Sequence, residues 1–120
     1  MSNLTLSLDA STSVTGWAVF NGSTLVQSGA IKPKSKSFYE RGRLMTNELK
    51  MIQLRAIESY KKPFDYIVIE KNNVMGPNQQ SMMSIGIVTG MILSRLVADE
   101  VYFVNVSTWR KYWKFSYKDR

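Results

Sequence analysis

The chain has 120 residues, with nine acidic residues against sixteen Lys and Arg, and two of the acids stand apart by position. Asp9 follows the alternating run Leu4-Thr5-Leu6-Ser7-Leu8, and Glu70 follows the continuous apolar run Tyr66-Ile67-Val68-Ile69. Each comes at the C-terminal end of a hydrophobic strand. Glu40, Glu48 and Glu58 fall on the polar side of a helix, Asp65, Asp99 and Glu100 are expected at turns just before strands, and Asp119 is terminal. The sequence has no His and no Cys, which excludes imidazole bases, cysteine nucleophiles, disulfides and thiolate or His-ligated metals. Chemistry is left to carboxylates, Lys, hydroxyls, backbone groups or a hard metal held by oxygen. Two carboxylates ending neighbouring parallel strands would stand ~5 Å apart. They would meet at the carboxyl edge of the sheet, where open α/β sheets bind ligands. Such a pair suits Mg²⁺ or Mn²⁺, which take oxygen ligands and bridge carboxylates to phosphate oxygens. A two-metal site of this kind hydrolyses phosphodiesters without a histidine.

The elements that must position the pair are legible in outline. Leu4, Leu6 and Leu8 alternate with polar residues, a strand period. Gly16 to Phe20 is a second strand, Asn21-Gly22 a hairpin turn, and Leu25 to Ile31 a third strand, so residues 4–31 form an antiparallel meander. Phe38, Met45, Leu49, Ile52, Ala56 and Tyr60 recur at helical spacing, and Lys61-Lys62-Pro63 ends that helix. Tyr66–Ile69 reads as a strand buried on both faces, the habit of parallel sheets. A second helix runs from about Asn78 to Ala98, with Met83, Ile87, Gly90/Met91 and Ser94 on one face. Val101–Val106 is a fifth strand, and Ser107 caps a last helix carrying Trp109, Tyr112 and Trp113. The order is β-β-β-α-β-α-β-α in a single domain over residues 1–120, the last helix incomplete.

Three motifs in this order carry a family resemblance. Leu6-Ser7-Leu8-Asp9-Ala10-Ser11 followed by Val14-Thr15-Gly16-Trp17-Ala18-Val19 resembles the first motif of the RuvC-like Holliday-junction resolvases. Ile67-Val68-Ile69-Glu70 resembles their second, and Val104 to Lys111 their fifth strand and the helix after it. The short form, free of Cys and His, looks most like the resolvases of bacteriophages of Gram-positive bacteria. The resemblance implies a ribonuclease H-like fold: a five-stranded mixed sheet, three antiparallel strands then two parallel, flanked by helices. It implies a structure-selective endonuclease acting on four-way and other branched DNA, with Asp9 and Glu70 as catalytic residues and as ligands of Mg²⁺, or of Mn²⁺. The family supplies further acids, or an acid and a His, from a last helix. Nothing here fits that place, so the expectation is either a missing C-terminal segment or a natural variant with an incomplete site, and in this 120-residue form binding of branched DNA with poor cleavage or none.

The positive charge falls in two blocks. Residues 32–62 hold nine bases and three acids, and residues 107–120 five bases and one acid, while the sheet strands are almost uncharged. Lys32, Lys34 and Lys36 in the first block, with Lys71 and Asn73 after Glu70 and Arg110, Lys111, Lys114 and Lys118 in the second, are the expected DNA contacts. Phosphate contacts of this kind give salt-dependent, sequence-independent affinity. Trp109 and at least one of Tyr112 and Trp113 are expected in the core rather than stacked on bases. In the loop after Glu70, where some family members place an aromatic wedge, Val74 or Met75 would do a weaker version.

Met82, Met83, Gly86 and Gly90 suggest a helix face for dimerisation, which a two-fold junction substrate requires. Packing of that helix against its own sheet is the competing explanation. No signal peptide or spanning segment is visible, and no membrane partner is expected. The expected location is the cytoplasm, that of the host if the protein is phage-encoded. Two other functions suit parts of the pattern. One is a non-catalytic DNA-binding and dimerisation module on the same fold. The other is the nucleotide-binding half of a sugar-kinase or actin-like protein, which also opens with an Asp-containing hairpin but needs two domains and a glycine-rich phosphate turn.

Overall fold

The protein is represented by a computed structural model that describes residues 3–71 and 79–105. Its elements run β1 (Leu4–Ala10), β2 (Thr15–Asn21), β3 (Thr24–Ile31), α1 (Phe38–Tyr60), β4 (Phe64–Lys71), α2 (Gln79–Arg95) and β5 (Ala98–Asn105). They form one five-stranded sheet in the order β3-β2-β1-β4-β5. β1, β2 and β3 pair antiparallel, whereas β1–β4 and β4–β5 are parallel. The expected final helix and the residue Val106 lie outside the described residues.

The alternation in β1 decides which face is core. Leu4, Leu6, Leu8 and Ala10 are buried in one cluster with Val19, Ile67 and Ile69 from the neighbouring strands. Met45, Leu49, Ile52 and Ala56 of α1 and Val88 and Ile92 of α2 complete that cluster, so both helices lie on one face of the sheet. The α1 stripe is the one its spacing predicts. Ser37 caps the helix by accepting the Glu40 N–H, and Lys61 ends it in the left-handed region at φ 62°, its N–H bonded to the Ile57 carbonyl.

Several expectations shift in detail. The β2–β3 turn is Gly22-Ser23 rather than Asn21-Gly22. Gly22 alone takes a positive φ there, 64°, as at the first central position of a type II′ turn. Asp65 lies inside β4 and Asp99 and Glu100 inside β5, not at turns before them. β4 is buried on the helix face at Ile67 and Ile69, while Tyr66 and Val68 on the other face are half-buried. α2 starts at Gln79 and ends at Arg95, short of Ala98, because Ala98 already pairs with Phe64 in the sheet.

Two tertiary clamps fix this layering. The Asp65 carboxylate accepts the Leu4 N–H at 2.7 Å and pairs with Lys62 Nζ at 2.8 Å, joining the starts of β1 and β4. These bonds, Lys62 first and the Leu4 N–H next, hold the Asp65 carboxyl below its ordinary pKa. Gln53, fully buried in α1, accepts the Val97 N–H at 3.0 Å and donates to the Val97 carbonyl at 2.5 Å, tying α1 to the link between α2 and β5.

Candidate metal and nucleic-acid site

The register sets the two carboxylates side by side. Leu8 pairs with Ile69 across the parallel β1–β4 ladder, so the next step along both strands is Asp9 beside Glu70. Each lies one residue before its strand ends, since Ala10 and Lys71 still belong to β1 and β4. Leu8 and Ile69 face the helices, so by strand alternation Asp9 and Glu70 share the opposite face. Asp9 is exposed and Glu70 half-buried. Their rung reads Gly16, Asp9, Glu70, Val104 across β2, β1, β4 and β5. Adjacent strands lie ~5 Å apart, which lets both carboxylates reach one cation.

Gly16 matters at this rung because it adds no side chain next to Asp9. A Cβ there would sit 3.9 Å from the Asp9 Cβ and meet nothing closer. Two oxygen-donor carboxylates with room on one side are a fitting donor pair for a hard divalent cation. No group of three or more acidic, His or Cys side chains that could hold a metal converges among the described residues.

The turn after Asp9 is built by Ser11. Its Oγ accepts the N–H groups of Ser13 and Val14 and donates to the Val14 carbonyl, while its own N–H bonds the same carbonyl. β3 ends at Ile31, which pairs with Thr15, so the loop beginning at Lys32 leaves the sheet at the Asp9 end. Lys32, Lys34 and Lys36 are all exposed. Arg41 in the first turn of α1 links the two segments: its Nε donates to the Thr12 carbonyl at 2.6 Å and an Nη to the Ser35 carbonyl at 2.8 Å. Sequence reasoning missed Arg41. Its partners are separated from it along the chain, and no local spacing marks it. Ser11 was open to detection as a hydroxyl residue placed to close a turn.

Lys71 closes β4 at the same edge, paired in register with Asn105. Asn73, Val74, Met75, Trp109, Arg110, Lys111, Tyr112, Trp113, Lys114 and Lys118 lie outside the described residues. On α2, Met82, Met83, Gly86, Ile87 and Gly90 are exposed, and a Cβ added at either glycine would meet nothing within 4 Å. The side of α2 that packs on its own chain is instead the one carrying Val88 and Ile92, with Met91 against Gly42 of α1. Gly42 is the contact point of the two helices: a Cβ there would lie 3.0 Å from Met91 Sδ and 3.3 Å from Val88 Cγ2.

No protein-family model matches the sequence, and no curated protein does. Solved structures do share its architecture. Thermus thermophilus RuvC in complex with a Holliday junction substrate superposes with a TM-score of 0.63 at 9% identity, covering 90% of this chain and 68% of that one. A second Thermus thermophilus RuvC structure gives 0.59 at 12% identity, covering 90% and 67%. The chain therefore has the RuvC-like form of the ribonuclease H fold, a five-stranded mixed sheet with helices packed against it.

Proposed function

We propose that this chain recognises branched DNA, the four-way junction above all, and hydrolyses its phosphodiester backbone at the Asp9–Glu70 rung. The observation that carries this reading is the register. It sets the two acids adjacent on neighbouring parallel strands, at the edge where the exposed Lys32–Lys36 loop also leaves the sheet. The shared fold with a RuvC seen on a Holliday junction supports the choice of substrate. Asp9 and Glu70 would hold Mg²⁺ or Mn²⁺. When bound, such a cation lowers the pKa of water and stabilises the leaving oxygen. The protein's own share is to fix both carboxylates on rigid strands and to bring the backbone to them through Lys32, Lys34 and Lys36. Lys71, Asn73, Arg110, Lys111, Lys114 and Lys118 extend that contact set.

A second reading, a module that binds branched DNA without cutting it, draws on the convergence of only two carboxylates among the described residues. In both readings two copies meet through the outward face of α2, since a two-fold dimer presents two equivalent sites to a two-fold junction. The test of recognition is competition between a labelled four-way junction and unlabelled linear duplex with Ca²⁺ present. The junction should stay bound at a large excess of duplex, and binding should weaken steeply with salt. Equal competition by linear duplex would remove the junction from the proposal.

A further inference from the structure

The Lys32–Lys36 loop carries three cations within five residues and no strand or helix of its own. Like charges so close repel and favour a spread of loop conformations. Something must hold such a loop if its lysines are to address the same phosphate backbone as Asp9. Arg41 is placed to do so. One part-buried guanidinium donates to Ser35 in the loop and to Thr12 in the turn after Asp9, and the Arg41 N–H also bonds the Ser37 carbonyl. A planar guanidinium offers donors in fixed directions and can join two carbonyls at once, whereas a Lys ammonium is a single point on a flexible stem. Arg41 is rooted in a packed helix through its flanking residues, since Gly42 abuts α2 and Met45 is fully buried. The anchor is therefore rigid.

We propose that Arg41 is a positioning residue that locks the basic loop to the Asp9 turn, so that DNA contact by the loop and presentation of the carboxylates act as one unit. This rests on the branched-DNA reading above. It also assigns a role that none of the three lysines has alone.

The experiment combines amide hydrogen exchange with a double-mutant cycle, using Arg41→Met, Arg41→Lys and Lys34→Ala. In Arg41→Met, the hydrogen-bonded amides of the two segments, those of Ser11, Ser13, Val14 and Ser37, should exchange about tenfold faster or more, the scale of losing hydrogen bonds with a charged partner. Amides in the middle of α1 should be unchanged, which separates local release from unfolding. Arg41→Lys should exchange like Arg41→Met. In the wild type, Lys34→Ala should flatten the salt slope of junction binding by about one. In the Arg41→Met background the same change should have less than about half that effect. Unchanged exchange in both segments, full rescue by Arg41→Lys, or a Lys34 effect independent of Arg41 would each overturn the proposal. A wild type that binds no DNA would instead overturn the reading of function, and the exchange data would still report whether Arg41 holds the two segments.

Discussion

At the residue scale, the placements legible in the sequence are those that follow from local pattern. Asp9 and Glu70 stand out because each interrupts a hydrophobic strand near its end, and period-two alternation then sets them on the face opposite the core. Arg41, Gln53 and Asp65 could not be found this way, since their partners Thr12, Val97 and Leu4 are remote in sequence. Asp65 yields a prediction about stability. Its folded pKa is lowered, so its contribution is complete above the unfolded carboxylate value, about 3.9, and is lost as pH falls through the still lower folded value. Asp65→Asn should lower unfolding stability near neutral pH by about 1 kcal/mol. It should also flatten the acid limb of the stability profile, as followed by urea melts between pH 2 and 7. An unchanged acid limb would mean that the Leu4 and Lys62 bonds do not hold the Asp65 charge.

At the element scale, the hairpin, the meander, α1 and the parallel pair were legible from period and turn chemistry, and their edges moved by a few residues. The face of α2 was the harder case. Its apolar and small residues surround the helix, so spacing alone does not say which side packs inward. The structure resolves this through Val88 and Ile92, which are buried, and through the close approach of Gly42 to Met91. That approach predicts that Gly42→Val destabilises the fold by about 1–3 kcal/mol, the usual effect of overpacking. Two-state denaturant melts would measure it. A neutral result would mean that Met91 and Val88 move aside without cost.

At the scale of the whole molecule, charge and assembly complete the account. No helix among the described residues is long and apolar enough to cross a membrane. The proposed assembly through α2 predicts that Ile87→Glu, at a residue 42% exposed, leaves the melting temperature of a single chain nearly unchanged while abolishing dimerisation. Sedimentation at micromolar concentration would follow this. A wild type that is itself monomeric under those conditions would contradict assembly through α2.

The most direct measurement is cleavage of a labelled four-way junction beside a linear duplex, with Mg²⁺ and then Mn²⁺, by the wild type, Asp9→Asn and Glu70→Gln. The account predicts nicking of the junction by the wild type, little or none of the duplex, and a loss of at least about a hundredfold in either variant while junction binding persists. Cleavage that survives both substitutions, or binding by the wild type with no cleavage in either metal, would contradict a phosphodiester-hydrolysing site at the Asp9–Glu70 rung.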